Sequence, residues 1–179
     1  MLPYGRHSID SNDLKIVKKS LNSKLITTGK FVEQFEKKIS NYTKSKYAVS
    51  CNSGTSALHL AFISANIKKG DAVIVPAINF IATCNILKLI GAKIYICDVN
   101  EVTGQITPEL IIKCIKKNKI KKIKALVVMY LGGNTYFNYQ IYSLKKKYKF
   151  LIIEDSCHAL GSSYKYNKKI YKIGSCKHS

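Results

Sequence analysis

Apolar residues recur at two different spacings along the chain. Up to residue 42 they follow helical intervals. Leu14, Val17, Lys18 and Leu21 share one face after a polar, turn-rich opening, and Val32, Phe35, Glu36 and Ile39 share another. The spacing predicts a helix over residues 11–21, with Ser11 as N-cap, and a second over 31–42. Beyond residue 46, short apolar runs alternate with amphipathic stretches. Residues 47–51, 72–75, 93–97, 123–129 and 150–153 read as strands. Residues 55–65, 81–90 and 139–148 read as helices, and Thr107-Pro108-Glu109 opens another, with Thr107 as cap and Pro108 in the first turn. Strands alternating with helices predict an α/β fold of three layers, a mostly parallel sheet covered on both faces.

The chain has 179 residues, enough for one well-buried core. Its net charge of +20 raises the question of a nucleic-acid partner. Arg6 is the only arginine among 30 basic residues, however, and arginine is the preferred fork for phosphate and base recognition. The lysines are spread through nearly every amphipathic segment. They read as solvated faces forming no single stripe, with a field that would still attract a phosphorylated small molecule. No apolar run has the length of a membrane span and no basic-then-apolar leader opens the chain, so a cytoplasmic protein is expected, with neither nucleic acid nor membrane as partner. Of six cysteines, Cys51, Cys84 and Cys97 lie in apolar runs, as buried thiols do, and no spacing fits a metal site, Cys157-His158 and Cys176-Lys177-His178 included.

Three constellations carry chemistry. In Asn52-Ser53-Gly54-Thr55-Ser56, a strand runs into a helix. The glycine allows close backbone approach, and the first-turn amides with the Thr55 and Ser56 hydroxyls form an anion cradle, although an ordinary capped helix has the same sequence. In Pro76-Ala77-Ile78-Asn79-Phe80, an aromatic follows a strand end, where it can stack on a flat ring or simply fill the core. In Ile152-Ile153-Glu154-Asp155-Ser156-Cys157-His158, a buried strand stops at Asp155. That acid can bond a protonated ring nitrogen while His158 reaches a neighbouring oxygen; a helix-capping aspartate is the alternative. Together these meet the needs of pyridoxal 5′-phosphate (PLP), whose ring nitrogen must stay protonated.

The order N-S-G-T-S-A-L-H-L-A, D-A-V-I-V-P-A-I-N-F-I-A-T, G-A-K-I-Y-I-C-D-V and I-I-E-D-S-C-H-A-L-G-S-S-Y resembles the DegT/DnrJ/EryC1/StrS sugar aminotransferases. The opening L-P-Y-G-R-H-S-I-D, the run T-T-G-K-F-V-E-Q-F-E and the late G-S-C-K-H-S narrow the resemblance to the branch acting on UDP-linked 4-keto-6-deoxy sugars in pseudaminic acid biosynthesis. The resemblance implies PLP transferase fold type I, with residues 1–30 as an amino-terminal arm and helix and 31–179 as an incomplete large domain. It implies that Gly54, Thr55 and Ser56 hold the cofactor phosphate, that Phe80 stacks on the ring, that Asp155 pairs with the ring nitrogen and that His158 sits near the ring hydroxyl. Tyr4, Lys24, Leu25, Ile26, Thr27 and Ser53 match positions that meet the nucleotide-sugar. L-glutamate is the implied amino donor, a homodimer the implied assembly, and no metal is implied. Dehydratase relatives carry the same motifs, so sugar dehydration stays open, as does a non-catalytic fragment. Two departures from the family pattern stand out. The turn after Tyr130 lacks the family's acid. The Ser-Phe-His-x-x-Lys run that supplies the Schiff-base lysine belongs about a dozen residues beyond Ser179, so this chain alone is expected not to transaminate.

Overall fold

The computed structural model describes residues 6–136 and 138–179. Four strands, β1 (Ala72–Pro76), β2 (Lys93–Cys97), β3 (Ala125–Met129) and β4 (Leu151–Asp155), make one parallel sheet in the order β2-β1-β3-β4. Pro76 lies opposite Cys97, and Met129 opposite Asp155, so the strands finish nearly level along one edge. Helices α3 (Gly54–Ser64) and α4 (Ala82–Ile90) cover one face, and α5 (Pro108–Lys117) and α6 (Asn138–Tyr148) the other. The two-residue alternation of a strand sorts side chains between these layers. Val73, Val75, Ala125, Val127 and Ile153 pack with Phe62 and Leu87, whereas Ile74, Leu126, Val128 and Ile152 pack with Ile111, Ile115 and Ile141. Asp155 follows Ile153 on the α3/α4 face. Glu154 falls on the other, where its Oε1 accepts hydrogen bonds from Tyr130 at 2.8 Å and Tyr142 at 2.5 Å.

Several expectations are corrected. Asp10, not Ser11, caps α1 (Ser11–Leu21). Its carboxylate accepts the amides of Asn12 and Asp13, while Asp13 reaches back to the Asp10 amide, a reciprocal box that a serine one position later cannot make. The apolar stripe of α1 finds no partner among the described residues, and Leu14, Val17 and Leu21 are exposed. Residues 47–51 form no strand. A strand needs a neighbour's ladder, and here the Ser50 amide is taken instead by the Glu36 carboxylate of α2 (Lys30–Thr43) at 2.7 Å. Cys51 is therefore exposed; Cys97 is buried, and its thiol is pushed up to about 12, chiefly by burial.

A hairpin that the hydrophobic pattern did not announce follows the sheet, β5 (Ser163–Tyr166) paired antiparallel with β6 (Lys169–Lys172). Its turn residues Asn167 and Lys168 both have positive φ, 48° and 63°, the backbone twist that two-residue hairpins favour. Tyr164 secures it, stacking on Tyr171 and bonding His178 Nδ1 through its hydroxyl at 2.8 Å. No helix among the described residues is long and apolar enough to cross a membrane.

Candidate functional site

The carboxyl ends of β3 and β4 open into a cleft of about 480 Å³. Its walls are the first two turns of α3 (Gly54, Thr55, Leu58), the segment Ile78-Asn79-Phe80 after β1, Met129 at the end of β3 and Leu131 just beyond it, and Asp155, Cys157 and His158. Chain topology explains the gathering: these residues lie at or just after a strand end or in the opening turns of a helix, and the parallel register brings those ends together.

Ser53 caps α3, its hydroxyl accepting the Ser56 amide at 3.1 Å. The amides of Gly54 and Thr55 precede the first intrahelical bond, and such donors, left over at a helix start, favour an anion. A Cβ on Gly54 would lie 3.5 Å from Cys157 Sγ, so any side chain there would fill the gap between α3 and the Asp155 turn.

Asp155 is 4% exposed. One of its carboxylate oxygens accepts the Cys157 amide at 3.3 Å. Its hydrogen bond with the Cys157 thiol, together with burial, pushes that thiol up to about 11, so at neutral pH the cysteine stays protonated and adds no charge beside the carboxylate. The Gly132 amide donates to His158 Nδ1 at 3.4 Å, which leaves Nε2 as the proton-bearing nitrogen of the neutral ring. That contact depends on the turn whose missing acid marked a departure. Gly132 and Gly133 have φ of 62° and 76°, and a Cβ on Gly133 would stand 2.9 Å from the His158 carbonyl. Backbone glycines thus shape the turn that lacks the family's acid. Phe80 is 65% exposed at the mouth of the cleft.

The structure therefore gathers Gly54, Thr55, Phe80, Asp155 and His158 around one cleft. Ser56 and Ser53 do not line it. Their hydroxyls contact each other at 3.0 Å, and Ser56 donates to Asn52 Oδ1. Lys24, Leu25, Ile26 and Thr27 are exposed in the α1–α2 loop, away from the lining, and Tyr4 lies outside the described residues. Two lining residues with polar side chains carry no part in the sequence reading: Cys157, weighed there only as a metal ligand, and Asn79. The Asn79 Nδ2 is buried without a hydrogen-bond partner among the described residues, a polar atom left unsatisfied at the cleft wall. Its one sequence signal was its place just before Phe80.

The profile of the DegT/DnrJ/EryC1/StrS aminotransferase family matches residues 7–178. The chain belongs to this family. Among curated relatives, it is 36% identical over 168 residues to the UDP-4-amino-4,6-dideoxy-N-acetyl-β-L-altrosamine transaminase of Campylobacter jejuni, covering 94% of this chain and 44% of that protein. Among solved members, the aminotransferase from Psychrobacter cryohalolentis superposes with a TM-score of 0.81 at 33% identity, over 90% of this chain and 40% of that one. A GDP-4-keto-6-deoxymannose-3-dehydratase, solved with a trapped PLP-glutamate geminal diamine, superposes with a TM-score of 0.80 at 29% identity, over 93% of this chain and 44% of that one. The chain thus spans less than half the length of these family members, and its sheet is the α/β architecture of PLP-dependent transferases.

Proposed function

We propose that this chain is the cofactor-binding portion of a PLP-dependent transaminase acting at C4 of a UDP-linked 4-keto-6-deoxy sugar, with L-glutamate as amino donor. The observation that carries the reading is Asp155, a buried carboxylate at a strand end facing the gap between α3 and Phe80. The cleft fits such a cofactor: a helix start suits its phosphate, an aromatic its ring, an acid its ring nitrogen, and the unsatisfied Asn79 amide leaves a donor in reserve. When bound, PLP supplies an electron sink that lets an amino group move between carbon skeletons.

This chain's residues have separable parts. The amides of Gly54 and Thr55 hold phosphate oxygens. Phe80 covers one ring face and excludes water from it. Asp155 keeps a proton on the ring nitrogen, and His158 Nε2 donates toward the ring hydroxyl. Ser56 supports the cradle through Asn52 and Ser53. Ser53, Lys24, Leu25, Ile26, Thr27 and Tyr4 meet the nucleotide-sugar in an assembled homodimer. The pathway is a surface glycan of the pseudaminic acid type, in the cytoplasm. No lysine lines the cleft among the described residues. The dehydratase relative gives a second reading, deoxygenation at C3 of a similar keto sugar.

Two measurements bear on these assignments. Phe80→Ala should weaken pyridoxamine phosphate binding about threefold to tenfold, the worth of an aromatic stack, with unfolding stability unchanged because the ring is exposed. Fused to the carboxy-terminal portion of the Campylobacter jejuni relative, the chain should move ¹⁵N from glutamate to C4 of the UDP-keto sugar, read by mass spectrometry. A fused protein that folds and binds PLP but releases a deoxygenated sugar would favour the dehydratase reading. One that folds and binds no PLP would overturn both.

A further inference from the structure

The opposite end of the sheet carries a second concavity. At the amino ends of β1, β2 and β3 lies a cleft of about 540 Å³, within the range of small-molecule sites. Six of its twelve lining residues are lysines: Lys68, Lys93, Lys119, Lys121, Lys122 and Lys124. Six of the 29 lysines that are spread along the sequence therefore meet here, because the fold brings three helix-to-strand loops to one edge. Five-residue strands separate this cleft from Asp155 by roughly 17 Å at a strand's rise per residue.

The charge exceeds what the fold needs. α3, α4 and α5 point their carboxyl ends this way, and each presents about half a negative charge, so two cations would suffice. The one carboxylate in the lining, Asp71, already accepts the Lys68 amide at 2.9 Å. The rim is also fixed rather than loose, since the Lys124 amide bonds the Ala72 carbonyl and the Lys93 amide the Asp71 carbonyl, both at 2.8 Å. Clustered ammonium groups repel one another unless an anion sits between them. Lysine offers point charges suited to phosphates, whereas base-edge readout in duplex DNA favours arginine forks, which this cleft lacks. Tyr95 and Ile120 add a partly buried apolar wall beside the cations.

We propose that this cleft binds a nucleoside polyphosphate, its phosphate chain among the six lysines and its base against Tyr95 and Ile120. The site is separate from the Asp155 cleft and does not depend on the proposed transaminase activity.

Calorimetric titration of the 179-residue chain with uridine triphosphate and with inorganic tripolyphosphate tests it, at about 50 and about 200 mM salt. Both anions should bind at low salt, the nucleotide more tightly, and both should weaken at high salt. K121Q/K122Q/K124Q should bind about tenfold more weakly, as the loss of three solvent-accessible ion pairs implies. K15Q/K18Q/K19Q, which removes the same charge from α1, should change binding by no more than about twofold, the long-range share left after screening. Circular dichroism verifies that both variants are folded. Equal losses in the two variants would reduce the effect to net charge and overturn the site. So would no binding of either anion at low salt. Tripolyphosphate binding as tightly as the nucleotide would overturn the base-binding wall. Duplex DNA binding more tightly than either anion, with loss in the same variant, would overturn the small-molecule assignment.

Discussion

Asp155→Ala should raise the dissociation constant for pyridoxamine phosphate by about tenfold to a hundredfold, the loss of one charge-assisted hydrogen bond worth about 1.5–3 kcal/mol. Stability should hold or rise, because a carboxylate kept at 4% exposure for a ligand is a desolvation cost to the empty fold. Asp155→Asn should fall between the two proteins, retaining an acceptor without the charge. A second readout needs no cofactor. Asp155 is the main reason the Cys157 thiol is pushed up to about 11, so its removal should return that thiol toward the ordinary value of 9.0. Alkylation of Cys157 at pH 8.5, followed by peptide mapping, should then be markedly faster in Asp155→Ala than in the parent chain. Unchanged cofactor affinity together with faster alkylation would show that the acid serves only its local turn.

Glu154→Ala should be the most damaging change outside the cleft, lowering unfolding stability by about 2–4 kcal/mol. The carboxylate accepts the Tyr142 and Tyr130 hydroxyls, and these tyrosines are 4% and 1% exposed. Burial and the adjacent carboxylate drive the Tyr142 hydroxyl far above its usual range, so it remains a donor at any physiological pH. Truncating the acceptor leaves the Tyr142 donor buried without that partner and opens a void under the β5–β6 hairpin, which packs on Tyr142 through Tyr164 and Tyr166. Urea denaturation followed by circular dichroism measures the loss. Tyr142→Phe, which removes one donor and keeps the ring, should lose about 1 kcal/mol. If Glu154→Ala cost no more than Tyr142→Phe, the carboxylate would not be the centre of this cluster.

The sheet was legible because its signals are local. Apolar runs of strand length, Thr107-Pro108 at a helix start and Gly91 at a helix end each carry their own instruction, and α4, α5 and β2 lie where those residues place them. The Asp155 cleft was legible for the same reason, since residues at strand ends converge once the strands are parallel. What escaped depends on distant partners. Residues 47–51 have strand composition, yet pairing needs a neighbour, and composition cannot show that Glu36 takes the Ser50 amide. The β5–β6 hairpin turns at Asn167-Lys168 without a glycine and is lysine-rich, so it read as surface. The clustering of lysines at one sheet end is likewise invisible to spacing, because it arises from three loops far apart in sequence.

In the proposed enzyme, Asp155 holds a protonated pyridine nitrogen in this cleft. This pairing is tested most directly by binding ¹⁵N-ring-labelled pyridoxamine phosphate to the chain and recording the ring-nitrogen NMR shift at a pH where the free compound has lost that proton. A saturable complex with the shift of the protonated ring, lost in Asp155→Ala, is expected. A folded chain that binds the compound with the shift of the neutral ring, or does not bind it at all, would contradict the pairing.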